Sequence, residues 1–250
     1  MLTSRVIPCL DVRDGRVVKG VQFQGLRDVG DPAALAAMYE EQGADEIVLL
    51  DVDATNADRD TAAATVRAVR RELRIPLTVG GGVRTAEDAG RLLEAGADKI
   101  GVNSAAVARP SLVADIAARF GRQCCVVAID ARRHGGAWQV LTHAGRKVAL
   151  PDAVQWAREV ERLGAGEVLL TSWDRDGGGQ GYDLTLLDRM AAAVRIPIIA
   201  SGGGRTADHL AEALTAGAHA VLIASVLHDG HTTVARLKHE LAARGAEVRP

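Results

Sequence analysis

One block of this chain occurs twice, 121 residues apart. Residues 81–104 and 202–225 are identical at 10 of 24 positions, and the shared Gly, Arg and Thr residues are not explained by the abundance of alanine. At the same offset, residues 43–46 align with residues 164–167. The chain therefore reads as one domain, 1–250, made of two related halves, roughly 1–120 and 121–250. A duplicated fold is expected to carry a duplicated binding site.

Short apolar runs rich in β-branched residues alternate with longer segments rich in Ala, Leu, Glu and Arg, which is the pattern of buried parallel strands and covering helices. Eight runs are predicted to be strands: Arg5–Leu10, Glu46–Asp51, Pro76–Val79, Lys99–Val102, Cys124–Asp130, Glu167–Ser172, Pro197–Ala200 and Ala220–Ile223. This alternation predicts an α/β fold, a single (β/α)8 TIM barrel built from two duplicated half-barrels. An open doubly wound sheet is the alternative, and the half-chain symmetry favours the closed barrel.

Capping residues mark the starts of several helices, and glycines mark their ends. Starts are predicted at Asp31-Pro32, Thr85, Pro110, Pro151 and Thr206, and ends at Gly43, Gly96 and Gly217.

The composition excludes several classes of function. The net charge of −2 and the 3% of aromatic residues argue against a nucleic-acid partner. No apolar run reaches the length of a membrane span, and the N-terminus lacks a signal pattern, so a cytoplasmic protein with reduced cysteines is expected. The histidines have no metal-ligand spacing, and His228 and His231 are expected on the surface. No dinucleotide motif is present, so neither a metal nor a cofactor is predicted.

Two glycine runs follow predicted strands and precede capped helices, at residues 80–82 and 202–204. Backbone N–H groups of such turns bind phosphate, helped by the helix dipole. A serine follows each run one strand later, at Ser104 and Ser225. Two phosphate sites facing each other across the barrel mouth are predicted, so the ligand should carry a phosphate at each end. Two purely structural βα turns are the alternative.

Asp11 and Asp130 follow apolar strands at corresponding places in the two halves. A carboxylate at such a place is costly unless it is paired or functional. We interpret the two as a general acid/base couple between the phosphate sites, with structural carboxylates as the alternative. Lys19 lies in the segment 15–30, which is long for a βα loop and is predicted to be a lid. Lys19 is either a solvated loop lysine or a residue that closes over an anionic ligand.

With these residues in place, the chain resembles, from end to end, the cyclase subunits of imidazole glycerol phosphate synthase, a lyase of histidine biosynthesis. The resemblance rests on long, loop-borne segments: residues 7–12 (IPCLDV), 18–23 (VKGVQF), 26–32 (LRDVGDP), 102–106 (VNSAA), 174–177 (DRDG) and 181–183 (GYD).

The resemblance implies a substrate with a phosphate at each end. The family takes ammonia and phosphoribulosyl-formimino-aminoimidazole carboxamide ribonucleotide, and it forms imidazole glycerol phosphate and aminoimidazole carboxamide ribonucleotide. By resemblance, the catalytic pair is Asp11 and Asp130. The implied substrate-binding positions are Lys19, Gly82, Asn103, Ser104, Thr171, Asp176, Gly177, Ser201, Gly203, Ala224 and Ser225.

The resemblance also implies a heterodimer with a glutaminase that docks at the amino-terminal face and sends ammonia through the barrel. The family's charged entrance ring and interface aspartate are matched by Arg5, Glu46, Lys99, Glu167 and Asp98. A salt-bridge network that only stabilises the barrel is the alternative for these charges.

Four positions depart from the family pattern: Asp53, Trp173, Gly178 and Gly204. Two other functions stay open at this point. One is the sister isomerase, which acts on the preceding bis-phosphate of the same pathway. The other is a non-catalytic barrel that only activates the glutaminase.

Overall fold

The computed structural model describes residues 3–21, 24–52 and 63–249. Its strands are β1 (Arg5–Arg13), β2 (Arg16–Val21), β3 (Gln24–Gly30), β4 (Ile47–Asp51), β5 (Leu77–Gly80), β6 (Lys99–Val102), β7 (Cys125–His134), β8 (Ala137–Thr142), β9 (Lys147–Leu150), β10 (Glu167–Ser172), β11 (Ile198–Ser201) and β12 (Ala220–Ile223). Its α-helices are α1 (Pro32–Glu41), α2 (Ala63–Glu72), α3 (Ala86–Glu94), α4 (Ser104–Ala108), α5 (Ser111–Phe120), α6 (Ala153–Arg162), α7 (Leu184–Ala191), α8 (Ala207–Thr215), α9 (Ser225–His228) and α10 (Val234–Ala243), and residues 122–124 form one turn of 3-10 helix.

Eight parallel strands form a closed barrel. Around the barrel the order is β1, β4, β5, β6, β7, β10, β11 and β12. Closure is made by the last strand, since β12 pairs with β1 in parallel from Arg5 opposite Ala220 to Pro8 opposite Ile223. The (β/α)8 prediction is confirmed, and the open sheet is excluded because it would leave these two strands as free edges.

The remaining four strands extend the barrel at its carboxyl-terminal end. Past the barrel, β1 runs on to Arg13 and pairs antiparallel with β2, and β7 runs on to His134 and pairs antiparallel with β8. The prediction that these strands end near Asp11 and Asp130 and that segment 15–30 is a loop is wrong, because within the described residues the segment contains β2 and β3, which pair with each other.

The predicted helix caps are largely observed. The side chain of Asp31 accepts from the N–H of Ala34, and Thr85 forms a capping box with Asp88. Thr206 accepts from the N–H of His209 at the start of α8. The helix predicted to begin at Pro151 starts later, because Asp152 is its N-cap.

Two short helices, α4 and α9, were not predicted. They begin at Ser104 and Ser225, and the residues before them share one backbone conformation: φ −130° and ψ −87° at Asn103, and φ −135° and ψ −70° at Ala224. The two halves thus turn each serine into the barrel mouth in the same way.

The hydrophobic core has two parts. The larger lies between the barrel and its helices, and the smaller fills the barrel interior with Ile7, Cys9, Val48, Val126, Leu169, Ile199, Ala220 and Leu222. Four of these interior side chains, Cys9, Val126, Leu169 and Leu222, also line a cavity that opens at the carboxyl-terminal end of the barrel.

Candidate active site

A cavity of about 400 Å³ occupies the carboxyl-terminal end of the barrel. It gathers residues from both halves of the chain that the sequence singled out: Asp11, Lys19, Gly82, Asn103, Ser104, Asp130, Thr171, Asp176, Gly177, Ser201, Ala224 and Ser225. Of the predicted binding positions, only Gly203 does not line it.

Asp11 points into this cavity from β1. The thiol of Cys9 lies 3.5 Å from Asp11 Oδ1 as a hydrogen-bond donor. Burial, and then the negative charge of Asp176, raise the pKa of Asp11 to about 7, against a smaller lowering by the Cys9 thiol. The thiol itself stays protonated, since burial and the charge of Asp11 raise the pKa of Cys9 well above its usual value.

Asp130 is placed in the same way on β7. Asn103 Nδ2 donates to Asp130 Oδ2 at 2.9 Å. Burial, and then the charge of Asp176, raise the pKa of Asp130 to about 7, while hydrogen bonds from Asn103 and Thr171 lower it. The cavity therefore holds two carboxyl groups that are each near half-protonation at neutral pH, the range in which a group both gives and takes protons.

The repeated glycine blocks have a steric cause. A Cβ on Gly81 would lie 2.2 Å from the carbonyl oxygen of Asp51, and a Cβ on Gly202 would lie 2.7 Å from that of Ser172. Both glycines have positive φ, 98° and 91°. Asp51 ends β4 and Ser172 ends β10, and the two residues are themselves 121 positions apart. Each glycine turn therefore crosses the end of its neighbouring barrel strand at the same point in both halves.

The second glycine of each block differs between the halves. Gly82 lines the cavity. Gly203 instead accepts a hydrogen bond from the N–H of Gly181 at 2.9 Å, and a Cβ on it would lie 2.3 Å from the Gly181 carbonyl oxygen. Close backbone packing is thus one reason for a glycine at 203, and a phosphate contact there stays a prediction.

Ser104 and Asn103 keep groups available to a ligand. Ser104 Oγ accepts from the N–H of His143 at 2.9 Å, which leaves the serine's own hydrogen for donation. Asn103 Oδ1 is buried and has no hydrogen-bond partner among the described residues.

Lys19 lies over the second serine, on the β2–β3 hairpin. Its Nζ is 3.4 Å from the carbonyl oxygen of Ser225 and forms an ion pair with Asp229. Asp229 also pairs with Arg27. Lys19 is thus an ion-paired residue of the cavity wall rather than a solvated loop lysine, and its closing over an anionic ligand stays a prediction.

His228 was expected on the surface, and that was wrong. It is half-buried and lines the cavity. Its ring bridges Tyr39 Oη, 2.7 Å from Nδ1, and the carbonyl oxygen of Cys9, 3.0 Å from Nε2. Burial lowers the pKa of His228, which keeps the ring neutral at pH 7. The one sequence signal for this position is its spacing, since His228 follows the predicted binding residue Ser225 by one helical turn.

At the opposite, amino-terminal end, four charged side chains form a closed ring, called here the charged ring: Arg5, Glu46, Lys99 and Glu167. Lys99 Nζ lies 2.8 Å from Glu46 and 2.9 Å from Glu167, and Arg5 pairs with the same two carboxylates. Thr78 Oγ1 donates to Glu46 at 2.5 Å and also lines the cavity that opens at the carboxyl-terminal end. The cavity therefore extends to within one hydrogen bond of the charged ring.

Asp98 directly precedes Lys99 of the charged ring, just before β6 begins. It accepts from Arg70 at 2.9 Å and from the N–H of Leu77 at 2.8 Å, and its side chain is 51% exposed.

The four departures fall in different places. A Cβ on Gly204 would lie 2.2 Å from Tyr182 Oη, so the glycine makes room for a tyrosine that donates to the Leu222 carbonyl oxygen at 3.0 Å. Gly178 lies in the β10–α7 loop, where a Cβ would meet the Arg175 carbonyl oxygen at 3.2 Å. Trp173 packs against Gly145, and Asp53 lies outside the described residues.

Within the described part of the chain, no group of three or more His, Cys, Asp or Glu residues is arranged to hold a metal ion. No helix in that part is long and apolar enough to cross a membrane.

Comparison with known proteins places these features in context. Residues 5–233 match the family model described as histidine biosynthesis protein. The chain is 56% identical over 250 residues to imidazole glycerol phosphate synthase subunit HisF of Myxococcus xanthus, covering 100% of this chain and 99% of that protein. It is 54% identical over 249 residues to the subunit of the same name from Exiguobacterium sibiricum, covering 100% of each.

Proposed function

Because the chain belongs to the histidine biosynthesis protein family and, within it, to the HisF cyclase subunits of imidazole glycerol phosphate synthase, we propose that it uses ammonia from a glutaminase partner. With that ammonia it converts phosphoribulosyl-formimino-aminoimidazole carboxamide ribonucleotide into imidazole glycerol phosphate and aminoimidazole carboxamide ribonucleotide. The observation that carries the proposal is that Asp11 and Asp130, one from each half of the chain, line one cavity, where burial raises the pKa of each carboxyl group to about 7.

The chemistry requires several proton transfers. Ammonia adds to the ketone of the ribulosyl arm, and water leaves. The same nitrogen then adds to the formimino carbon, and the aminoimidazole amine leaves as the ring closes. Each departing group takes up a proton and each attacking nitrogen gives one up, so the site needs an acid and a base together. A protonated carboxyl on one strand and an ionised one on the other supply both.

Lysine and serine groups at the two ends of the cavity suit a doubly anionic substrate. Ser104 keeps a free hydrogen on one side, and Ser225 lies under Lys19 on the other. Asn103 Oδ1 offers an unoccupied acceptor beside Asp130, suited to a hydroxyl or amine of the substrate.

The partner proposal rests on the amino-terminal end of the barrel. The relatives are named as subunits, which implies a complex. We place the glutaminase against the charged ring and Asp98. Ammonia released there would pass Thr78 and then Gly101, which lines the cavity without a side chain to obstruct it.

Steady-state cyclisation with an ammonium salt as nitrogen donor tests the activity. We expect turnover of the formimino substrate by the isolated chain at high pH, where free ammonia is abundant, and no turnover of the sister isomerase's substrate. The reverse pattern would identify the isomerase, and inactivity toward both would favour the non-catalytic barrel.

A first prediction concerns the two anion sites. Crystals soaked in inorganic phosphate should show one ion near Gly82 and Ser104 and another near Gly203 and Ser225. Helix starts and backbone N–H groups at both places provide the donors. Ser104→Ala should weaken only the first site, which makes each site the control for the other. A soaked structure with neither site occupied would contradict the two-phosphate substrate.

A second prediction concerns pH. The charge of Asp176 raises the pKa of both Asp11 and Asp130, so Asp176→Asn removes a repulsion that opposes their ionisation. Both pKa values should fall, and the acidic limb of the kcat/KM profile should move to lower pH. Asp174→Asn, on the same loop but outside the cavity lining, is the matched control. An unshifted acidic limb in Asp176→Asn would show that Asp176 does not set these pKa values.

A further inference from the structure

The indole of Trp173 packs on the turn between β8 and β9. A Cβ added to Gly145 would lie 2.0 Å from Cη2 of that indole and 2.3 Å from its Cζ2 and Cζ3. No side chain fits between the two, and Gly145 also has a φ of 79°. The ring and the turn therefore fit together only because residue 145 is a glycine.

The turn itself has an uncommon backbone. His143 and Ala144 have φ values of 56° and 53°, so three successive residues, two of them not glycine, are left-handed. Such residues persist only where their surroundings hold them. At one end of the turn the N–H of His143 donates to Ser104 Oγ at 2.9 Å, and at the other end the indole covers Gly145. Ser104 and Trp173 hold the turn between them.

This turn is part of the cavity wall. His143 and Ala144 line the cavity beside Ser104. The loop that begins at Trp173 brings Asp176 and Gly177 to the same cavity.

The start of that loop is bonded to the β7–β8 hairpin as well. The N–H of Trp173 donates to the Ala131 carbonyl oxygen at 2.9 Å, and Asp174 accepts from the N–H of Arg133 at 2.7 Å. The backbone at Trp173 is thus fixed, and the indole transmits that fixed position to the turn.

We propose that Trp173 is a positioning residue that sets the spacing between the Ser104 anion site and the Asp176–Gly177 loop. Resting on the proposed function, this makes Trp173 a determinant of how tightly the doubly phosphorylated substrate is held. Its effect falls on binding rather than on chemistry, because the hydrogen bonds to Ala131 and Arg133 hold the start of the Asp176–Gly177 loop without the indole, and only the turn beside Ser104 depends on the ring.

The test compares Trp173→Leu with Trp173→Phe in ammonium-dependent cyclisation. Trp173→Leu uncovers the turn and weakens the anion contact at Ser104, so KM should rise about tenfold, the loss expected for one impaired hydrogen bond to a charged group. Because that contact acts on binding, kcat should stay within about twofold of wild type. Trp173→Phe keeps an aromatic ring over Gly145 and should restore most of the KM. Val148→Ala, an exposed position of β9 in the same hairpin, should behave as wild type.

Titration with inorganic phosphate, followed by 31P NMR, separates this proposal from the proposed function. If wild type fails to cyclise the substrate, the proposed function is lost, yet weaker phosphate binding by Trp173→Leu would still support the positioning role. A wild-type KM and phosphate affinity in Trp173→Leu would overturn it. A fall in kcat and in Tm with no change in KM would overturn it as well, since the indole would then stabilise the fold without affecting substrate binding.

Discussion

Asp11→Asn should reduce ammonium-dependent cyclisation by about 10² to 10⁴-fold in kcat, the range expected for loss of a general acid or base. Asparagine keeps the size and the polar surface of the side chain but cannot exchange a proton. Asp130→Asn should lose activity to a similar degree, because each ring-closing step needs the acid and the base together. Asp14→Asn is the matched control, since Asp14 lies on the β1–β2 turn with its side chain 82% exposed. Undiminished turnover by Asp11→Asn would remove Asp11 from its role.

The same substitution should make the protein more stable above neutral pH. Folding raises the pKa of Asp11 from 3.8 to about 7, so the ionised carboxylate is disfavoured in the folded state. That penalty is absent below about pH 4, grows as the pH rises, and is complete above pH 7, where it amounts to at most about 4 kcal/mol. Asp11→Asn should therefore raise Tm by up to about 10 °C at pH 8 and leave it unchanged at pH 4. If Asp11→Asn and wild type have the same Tm at pH 8 as well as at pH 4, folding does not disfavour the ionised form of Asp11.

The barrel was predictable because its cause lies in local, repeated patterns. Apolar runs of strand length alternate with capped helices, and the repeat at a 121-residue offset requires two halves that complete each other. Gly81 and Gly202 explain why the repeat is visible at all. Each lies within contact distance of a backbone carbonyl at the end of the neighbouring barrel strand, β4 or β10, so neither tolerates a side chain.

The upper part of the site was less predictable because it depends on contacts between segments far apart in sequence. His228 is placed by Tyr39 and by the Cys9 carbonyl, 189 and 219 residues away. The β2–β3 hairpin carries glycine and charged residues that suggest a loop, and it is a hairpin because β1 extends beyond the barrel to pair with it. No periodicity in a single sequence reports such partners.

The charged ring poses a question that stability alone does not answer. Glu46 is 1% exposed, forms ion pairs with Arg5 and Lys99, and accepts a hydrogen bond from Thr78. Burying ionised groups costs several kcal/mol per ion, and apolar replacements of a buried ion pair are often neutral or stabilising. A barrel selected for stability alone would gain little from these charges, which favours a role in admitting ammonia over a purely structural network.

Glu46→Ala should therefore be destabilising, by about 3 kcal/mol, because it leaves two partly buried cations with one carboxylate between them. Urea denaturation measures this loss, and Tm should fall by about 10 °C. The combination Glu46→Leu, Thr78→Val and Lys99→Met removes one complete ion pair and the hydroxyl that depends on it. It retains the Arg5–Glu167 pair, so its stability should lie within about 1 kcal/mol of wild type.

That triple variant then separates the two roles of the ring. If the ring admits ammonia, the variant should keep ammonium-dependent turnover, because Asp11 and Asp130 are untouched at the other end of the barrel. With the glutaminase bound, its ratio of cyclised product to glutamine hydrolysed should fall below that of wild type, since only the Arg5–Glu167 pair is left to offer hydrogen-bonding groups to ammonia. If the stable triple variant keeps the wild-type ratio, the charged ring only stabilises the amino-terminal end of the barrel.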